Sequence, residues 1–484
     1  MTKKPDGPRG KKTEATRPKP KGKAKPAARP GTRLKTAAPA KRKGVAEARP
    51  KVPSSWGFAT PPPEETLTEK GKIRRQKREA AKLKRKTTGG PRVHKKPRKG
   101  APPETRPAAE ETRSEPDLNW RRAENAPKPI RAELGKPALE PLPDPGSWIF
   151  LCREGFEQDL ADELVMLSKS IGPHVLARGL LATKGKPPRP ERRVDVTFAR
   201  QAFPLTAAMR EADPNMLAGR AARALLPLLT SAARFALHTF VPDSESGNRL
   251  SQAADALHEA IGERLLELDP SLAGRRDDDA REAEGLLAQV CLARADVALV
   301  GVMSAAEAPS RMPGGRARMK VGPHAPSRAA MKVEEALEWL GVGPDPGDLC
   351  IDLGAAPGGW TLQLVERGAR VVAVDPAKLA PWVMKQKNVV HVPKNAFNFE
   401  PDEPVDWLFC DMVWRPLEVA GLLAKWGRWR KARVVVANIK LPMDRKAEFV
   451  RRVREILEGG GWKDLRTRHL YHDRDEITLT AWMR

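Results

Sequence analysis

Residues 349–375 read "LCIDLGAAPGGWTLQLVERGARVVAVD": an apolar run, a loop holding Gly354, Gly358 and Gly359, a helical stretch, and a second apolar run ending at Asp375. Strand, glycine turn, helix and strand in that succession open a parallel α/β sheet. That second run, "RVVAVD", and two later stretches, "VDWLFCDM" and "RVVVANIK", are apolar runs suited to strands buried on both faces. Helical stretches at 360–367, 416–429 and 444–457 separate most of these runs. The end, "KDLRTRHLYHDRDEITLTAWMR", reads as two strands joined by a tight acidic turn at 472–475. The expectation is an open, mostly parallel sheet whose final strand pair is antiparallel.

Ligands of such sheets bind beyond the carboxyl ends of the strands. Those ends collect Asp352, Asp375, a position near Asn395, Asp411 and Lys440. The loop spells neither common phosphate motif, and Pro357 removes a backbone N–H that a pyrophosphate would want. S-adenosylmethionine carries no phosphate; it needs close backbone approach and an acid for its ribose. The glycines supply the first and Asp375, 21 residues after Gly354, the second. A tight strand-to-helix turn with no ligand remains the plainer alternative for the loop alone.

The chain has 484 residues and a formal net charge of +27. Residues 1–100 hold 33 Lys+Arg against 7 Asp+Glu, so nearly all of the excess sits there, together with 14 of the 47 prolines. A Lys/Pro/Ala-rich segment cannot bury enough apolar surface to offset its ordering entropy, so 1–145 is expected to be a disordered basic tail. Within it, 69–87 is rich in helix formers and suited to folding on a polyanion. A solvated arm with no dedicated partner is the bland alternative. Non-specific contact with nucleic acid follows from the charge. The four cysteines lie in apolar runs with no metal-ligand spacing, which predicts core thiols in a reducing compartment and no metal site. With no long apolar run and no hydrophobic signal core, a cytoplasmic protein that does not enter membranes is expected.

Residues 146–310 alternate strand and helix patterns, a smaller α+β region. Trp148 to Cys152 reads as a buried strand, "RRVDVTFAR" as another with Val194, Val196 and Phe198 on one face, and "LSQAADALHEAIGERLLEL" as an amphipathic helix. Asp277, Asp278 and Asp279 suggest a solvated loop rather than a cation site. A Gly/Arg/Pro-rich stretch follows, and 311–324, with Arg311, Arg316, Arg318 and Lys320, is expected to be a basic linker into a domain spanning 325–484. There, "SRAAMKVEEALEWL" reads as a helix with Ser327 at its N-cap and Lys332 near the edge of its apolar stripe.

The stretches "APSRAAMKVEEA", "DLGAAPGGWT", "VDP", "CDMV", "KLPM" and "LYHDRDEIT" together resemble the FtsJ-like family of RNA ribose 2′-O-methyltransferases. Within it they are similar to the bacterial ribosomal RNA large subunit methyltransferase M group. The resemblance covers 325–484, and more weakly "FLCREGFEQDLADEL", which looks like the opening of that group's RNA-binding region with its ferredoxin-like part and THUMP domain. It implies a Rossmann-like methyltransferase domain, S-adenosylmethionine as cofactor, and 23S rRNA, at a cytidine, as partner and substrate. The family's catalytic tetrad falls on Lys332, Asp411, Lys440 and Glu476. Its cofactor contacts fall on Ser327, Gly354, Ala356, Pro357, Gly358, Gly359, Asp375, Asn395 and Asp411. Asn395 departs from the Asp usual there.

A ribose hydroxyl is a poor nucleophile, so its proton must leave as it attacks. Lys440 is the expected acceptor, its ammonium made easier to deprotonate by burial beside a second cation, with Lys332 stabilising the oxyanion; the two acids orient the amines, and their charge opposes that lowering. Two other readings compete: a non-catalytic RNA-binding assembly factor that keeps the fold, and DNA compaction by the tail. Nothing in the sequence names an oligomeric state.

Overall fold

The computed structural model describes residues 130–185, 195–278, 285–319, 322 and 324–483. The basic stretch at 69–87 and the rest of the tail up to 129 lie outside these. The C-terminal part is one seven-stranded sheet built from β9 (Leu349–Leu353), β10 (Arg370–Val374), β11 (Val389–Val392), β12 (Val405–Cys410), β13 (Ala432–Lys440), β14 (Lys463–Arg468) and β15 (Glu476–Trp482). Their order is β11-β10-β9-β12-β13-β15-β14. Pairings from β11 to β13 are parallel, and β15 runs antiparallel to both of its neighbours. Strand order reverses at β9, so the crevice belongs between the ends of β9 and β12, where the glycine loop emerges.

The apolar runs become strands because both faces are covered. All residues of β9 and β12 are buried. Helices α4 (Ala329–Leu340), α5 (Gly359–Glu366), α6 (Pro416–Arg428) and α7 (Lys446–Gly459) belong to this part. On one side Val333 and Leu337 of α4 and Trp360 and Leu364 of α5 pack with Cys350, Val371, Trp407 and Phe409. Leu422 and Leu423 of α6 and Phe449 and Val453 of α7 join Ile351, Leu408 and Val435 in the larger cluster. The four cysteines are free and buried.

The region before it holds two four-stranded sheets. Strands β1 (Trp148–Leu151), β2 (His174–Ala177), β3 (Leu180–Thr183) and β4 (Gln201–Pro204) form one, in the order β2-β3-β1-β4. Strands β5 (Ala207–Arg210), β6 (Phe235–Phe240), β7 (Leu286–Arg294) and β8 (Val297–Ser304) form the other, in the order β5-β8-β7-β6. Helices α2 (Pro214–Leu229) and α3 (Ser251–Leu268) cover the second sheet through Leu225, Leu229, Leu257 and Ile261. Asp213 caps α2, accepting from the Asn215 and Met216 amides at 2.8 and 3.0 Å, with Pro214 preset in the first turn. Helix α1 (Glu157–Leu167) turns its Phe156 end toward α7, where Lys446 Nζ sits 2.8 Å from Asp159 Oδ2.

Several segments differ from the sequence expectation. Residues 195–200 form no strand, and 191–194 lie outside the described residues. The Thr197 and Phe198 amides donate to Glu163 at 2.7 and 3.0 Å, so the donors of a ladder are spent on a side chain while Val196 and Phe198 are still buried. Packing also starts before 146: Ala132 is buried and its amide donates to Asp162 at 2.8 Å. The stretch around 311–319 lies against the fold, with Gly314 and Gly315 buried and Arg316 Nη2 2.9 Å from the Pro242 carbonyl. Lys320 is outside the described residues. Asp278, expected in a solvated loop, bonds His258, Arg276 and the Leu237 amide, which hold its carboxyl well below the usual range against the effect of burial. Finally, α4 begins at Ala329 with no side-chain cap, so Ser327 is not its N-cap.

Candidate active site

Four chain-distant residues meet at the carboxyl ends of the central strands. Lys440 ends β13 and Glu476 begins β15, and the antiparallel register sets them directly opposite. Lys440 Nζ lies 2.7 Å from Glu476 Oε2. Lys332, in the first turns of α4, reaches the other oxygen, Oε1, at 2.5 Å, and stands 3.8 Å from Asp411 Oδ1. Asp411 is the first residue past β12 and accepts from Asn438 Nδ2 at 3.2 Å. Thr478 Oγ1, 2.8 Å from Asn438 Oδ1, fixes which way that amide points.

The charges of the cluster balance, and the balance sets each group's protonation. Burial alone would push Glu476 up, yet the bonds from Lys332 and Lys440 hold its carboxyl down at about 2. Burial likewise opposes charge on Lys332, but Asp411 and Glu476 outweigh it and raise the ammonium above its ordinary value. At Asp411 burial wins: its carboxyl is raised despite both lysines. The opposition expected from the two acids therefore prevails at Lys332.

Sequence reasoning missed Asn438 and Thr478. The signal was present: strand side chains alternate, so Asn438 shares a face with Lys440, and Thr478 with Glu476. Both are buried, and they are cross-strand partners.

The glycine loop has the shape of a close-approach cradle. Gly354 has φ +76°, and a Cβ there would stand 2.7 Å from Met412 Cγ. Gly358 has φ +106°, the left-handed region that disfavours any side chain. A Cβ on Gly359 would collide with Ser327 Oγ. That hydroxyl oxygen is itself buried without a hydrogen-bond partner. Asp375 closes the loop from β10: its Oδ2 accepts from the Ala356 amide at 3.1 Å and its Oδ1 from Ala377 at 2.7 Å. The Pro357 carbonyl accepts from the Ala380 amide at 2.9 Å. Asn395 is exposed, and its Oδ1 accepts from the Phe397 amide at 3.0 Å, capping a short turn.

A cavity of about 880 Å³ opens beside the cluster. Lys332, Lys440 and Glu476 line one wall; Arg153, Arg200 and Asn248 from the preceding region line another. Among the described residues no group of three or more His, Cys, Asp or Glu is placed to hold a metal. No helix among them is long and apolar enough to cross a membrane.

A doubly wound sheet with its last strand reversed, a glycine cradle and a cluster of polar residues at the strand ends define a Rossmann-like methyltransferase. Residues 325–423 match the family described as FtsJ-like methyltransferase. The ribosomal RNA large subunit methyltransferase M of Halorhodospira halophila is 34% identical over 348 residues, spanning 69% of this chain and 96% of that protein. Its counterpart from Xanthomonas oryzae pv. oryzae is 33% identical over 349 residues, spanning 68% and 97%. The crystal structure of TrmN from Thermus thermophilus covers 70% of this chain and 100% of that one at 17% identity, with a TM-score of 0.29. The chain belongs to the ribosomal RNA large subunit methyltransferase M family.

Proposed function

We propose that the chain transfers a methyl group from S-adenosylmethionine to a ribose 2′-hydroxyl of a cytidine in 23S rRNA. The observation that carries this reading is the convergence of Lys332, Asp411, Lys440 and Glu476 beside a cavity large enough for a nucleotide. Membership of a family whose curated relatives are named as large-subunit rRNA methyltransferases supports the substrate class.

S-adenosylmethionine, when bound, supplies the electrophilic methyl group. The residues near the loop fit such a cofactor: Gly354, Gly358 and Gly359 leave room a side chain would fill, and the partnerless Ser327 oxygen wants a polar neighbour. Ala356 and Pro357 continue the cradle. Asp375 keeps lone pairs free for ribose hydroxyls after taking its two backbone amides. Asn395 would meet the adenine with an amide, and Asp411 borders both the cofactor and the reacting hydroxyl.

Lys440 is the more exposed of the two amines, 32% against 14% for Lys332, so it is the one that reaches the substrate hydroxyl. It accepts the 2′-proton as the oxygen attacks, which requires its free-amine form. Lys332, held cationic by its carboxylate neighbours, stabilises the developing negative charge on that oxygen. Glu476, ionised across the working range, grips both amines and fixes their separation. Alignment of the groups contributes much of the rate.

Residues 146–310 are read as a THUMP-like RNA-binding region and 1–129 as a basic arm that grips nucleic acid non-specifically. Both suit a cytoplasmic enzyme that meets large-subunit RNA. The test is transfer of tritiated methyl to unmodified large-subunit rRNA. Wild-type protein labels the RNA, and Lys440→Ala does not while still binding cofactor. Label incorporation by Lys440→Ala at the wild-type rate would refute the assigned base.

A further inference from the structure

Between β14 and β15 the chain makes a turn, residues 469–475, that delivers Glu476 to the two amines. Few of its backbone groups are satisfied by the sheet. The His469 amide donates to the Thr197 carbonyl at 2.8 Å. Arg200 Nη2 donates to the carbonyls of Leu470 and Tyr471, both at 3.3 Å, and Arg153 Nη1 to that of Asp473 at 3.0 Å. From the opposite side Glu335 takes the Tyr471 amide at 2.7 Å, the His472 amide at 2.9 Å and His472 Nδ1 at 2.8 Å. The turn is thus bracketed by the preceding region and by α4, the helix that also carries Lys332.

Arg200 is a costly residue to place here. Its side chain is 2% exposed, and burial holds its guanidinium down at about 10. An ion pair with Asp243, which also stands 3.5 Å from Arg316, keeps the buried charge partnered. Its guanidinium carbon lies 5.2 Å from the Tyr471 ring centre. The result of this arrangement is a turn whose end is fixed: the Arg474 amide donates to Glu476 Oε1 at 3.3 Å, the same oxygen that Lys332 contacts.

Resting on the proposed methyl transfer, we propose that Arg153, Arg200 and Glu335 are positioning residues, which hold the 469–475 turn so that Glu476 presents one oxygen to each lysine. The region before residue 310 is then a structural part of the active site as well as a handle for RNA. A geometric error of about 1 Å in such a site costs on the order of 100-fold in rate.

The test uses the full chain with S-adenosylmethionine and unmodified large-subunit rRNA, comparing wild type with Arg153→Met and Glu335→Gln. Positioning predicts a kcat lower by roughly 10- to 100-fold in each variant, with the KM for RNA nearly unchanged. It also predicts faster hydrogen exchange at the Tyr471 and His472 amides in Glu335→Gln, a readout that needs no turnover. Wild-type kcat with a raised KM would overturn the proposal, because the side chains would then only touch RNA. Wild-type kcat with lowered thermal stability would overturn it too, reducing the contacts to glue between regions. If Arg153→Met fails to fold, Arg200→Lys and Glu335→Gln carry the same comparison. A wild-type protein that turns over with unaffected variants sinks this inference alone, whereas a wild-type protein without transfer sinks the proposed function.

Discussion

Glu476 makes contacts to both amines, and its shifted protonation is a statement about stability. Its carboxyl is held at about 2, well below the ordinary glutamate value near 4.3, so its ionised form favours the folded state by on the order of 3 kcal/mol. That contribution is fully present above the unfolded value and is lost as pH falls through the folded one. Glu476→Gln should therefore lower the unfolding free energy by about 3 kcal/mol at pH 7. The gap to wild type should narrow between about pH 4.3 and pH 2. Urea unfolding across that range measures it, and a gap independent of pH would contradict the assignment. Asp411 and Lys440 were legible where apolar runs stop, whereas Lys332 and Glu476 stood out only through the resemblance to the FtsJ-like family. Their protonation was not legible: it depends on which neighbours end up at 2.5 to 3.8 Å, and at Lys332 the carboxylates outweigh burial.

At the scale of elements, the glycine cradle is the joint between two helices. Gly359 opens α5, and any side chain there would collide with Ser327 just before α4. Gly359→Ala should displace Ser327 and weaken S-adenosylmethionine binding at least roughly tenfold by calorimetry. Ser327→Ala, which removes the partnerless oxygen without crowding, should weaken it less; an affinity equal to wild type in both would move the cofactor elsewhere. Asp375→Ala should also lower cofactor affinity, and unchanged binding would remove its ribose role. Strands β9, β10 and β12 were readable because each is a short apolar run buried on both faces between turn residues. "RRVDVTFAR" misled for the same physical reason in reverse. Its Val196 and Phe198 are buried as strand residues would be, but Glu163, 34 positions away in sequence from Thr197, takes the amides. A single sequence does not display such a tertiary competitor.

For the whole molecule, charge is divided between parts. Residues 1–100 carry nearly all of the net +27, while the remainder is close to neutral. Removing 1–129 should leave kcat unaltered and make the fall of RNA affinity with log salt markedly shallower. An unchanged slope would show that the folded part alone supplies the electrostatic contact. The uneven charge is legible from composition, but the contact between the two folded parts is not. Nothing in the sequence singles out Arg200 or Arg468. Yet Arg468 Nη2 donates to the Arg200 carbonyl at 2.6 Å, and Thr197 and Thr467 hydroxyls meet at 2.8 Å across the same seam.

The position of the transferred methyl is the most direct test of the account. Large-subunit rRNA labelled by this protein with tritiated S-adenosylmethionine is digested to nucleosides and separated. The geometry predicts label on a ribose 2′-oxygen, and the family resemblance places it in 2′-O-methylcytidine; it is absent when Lys440 is replaced by alanine. Label on a base, with none on ribose, would contradict it.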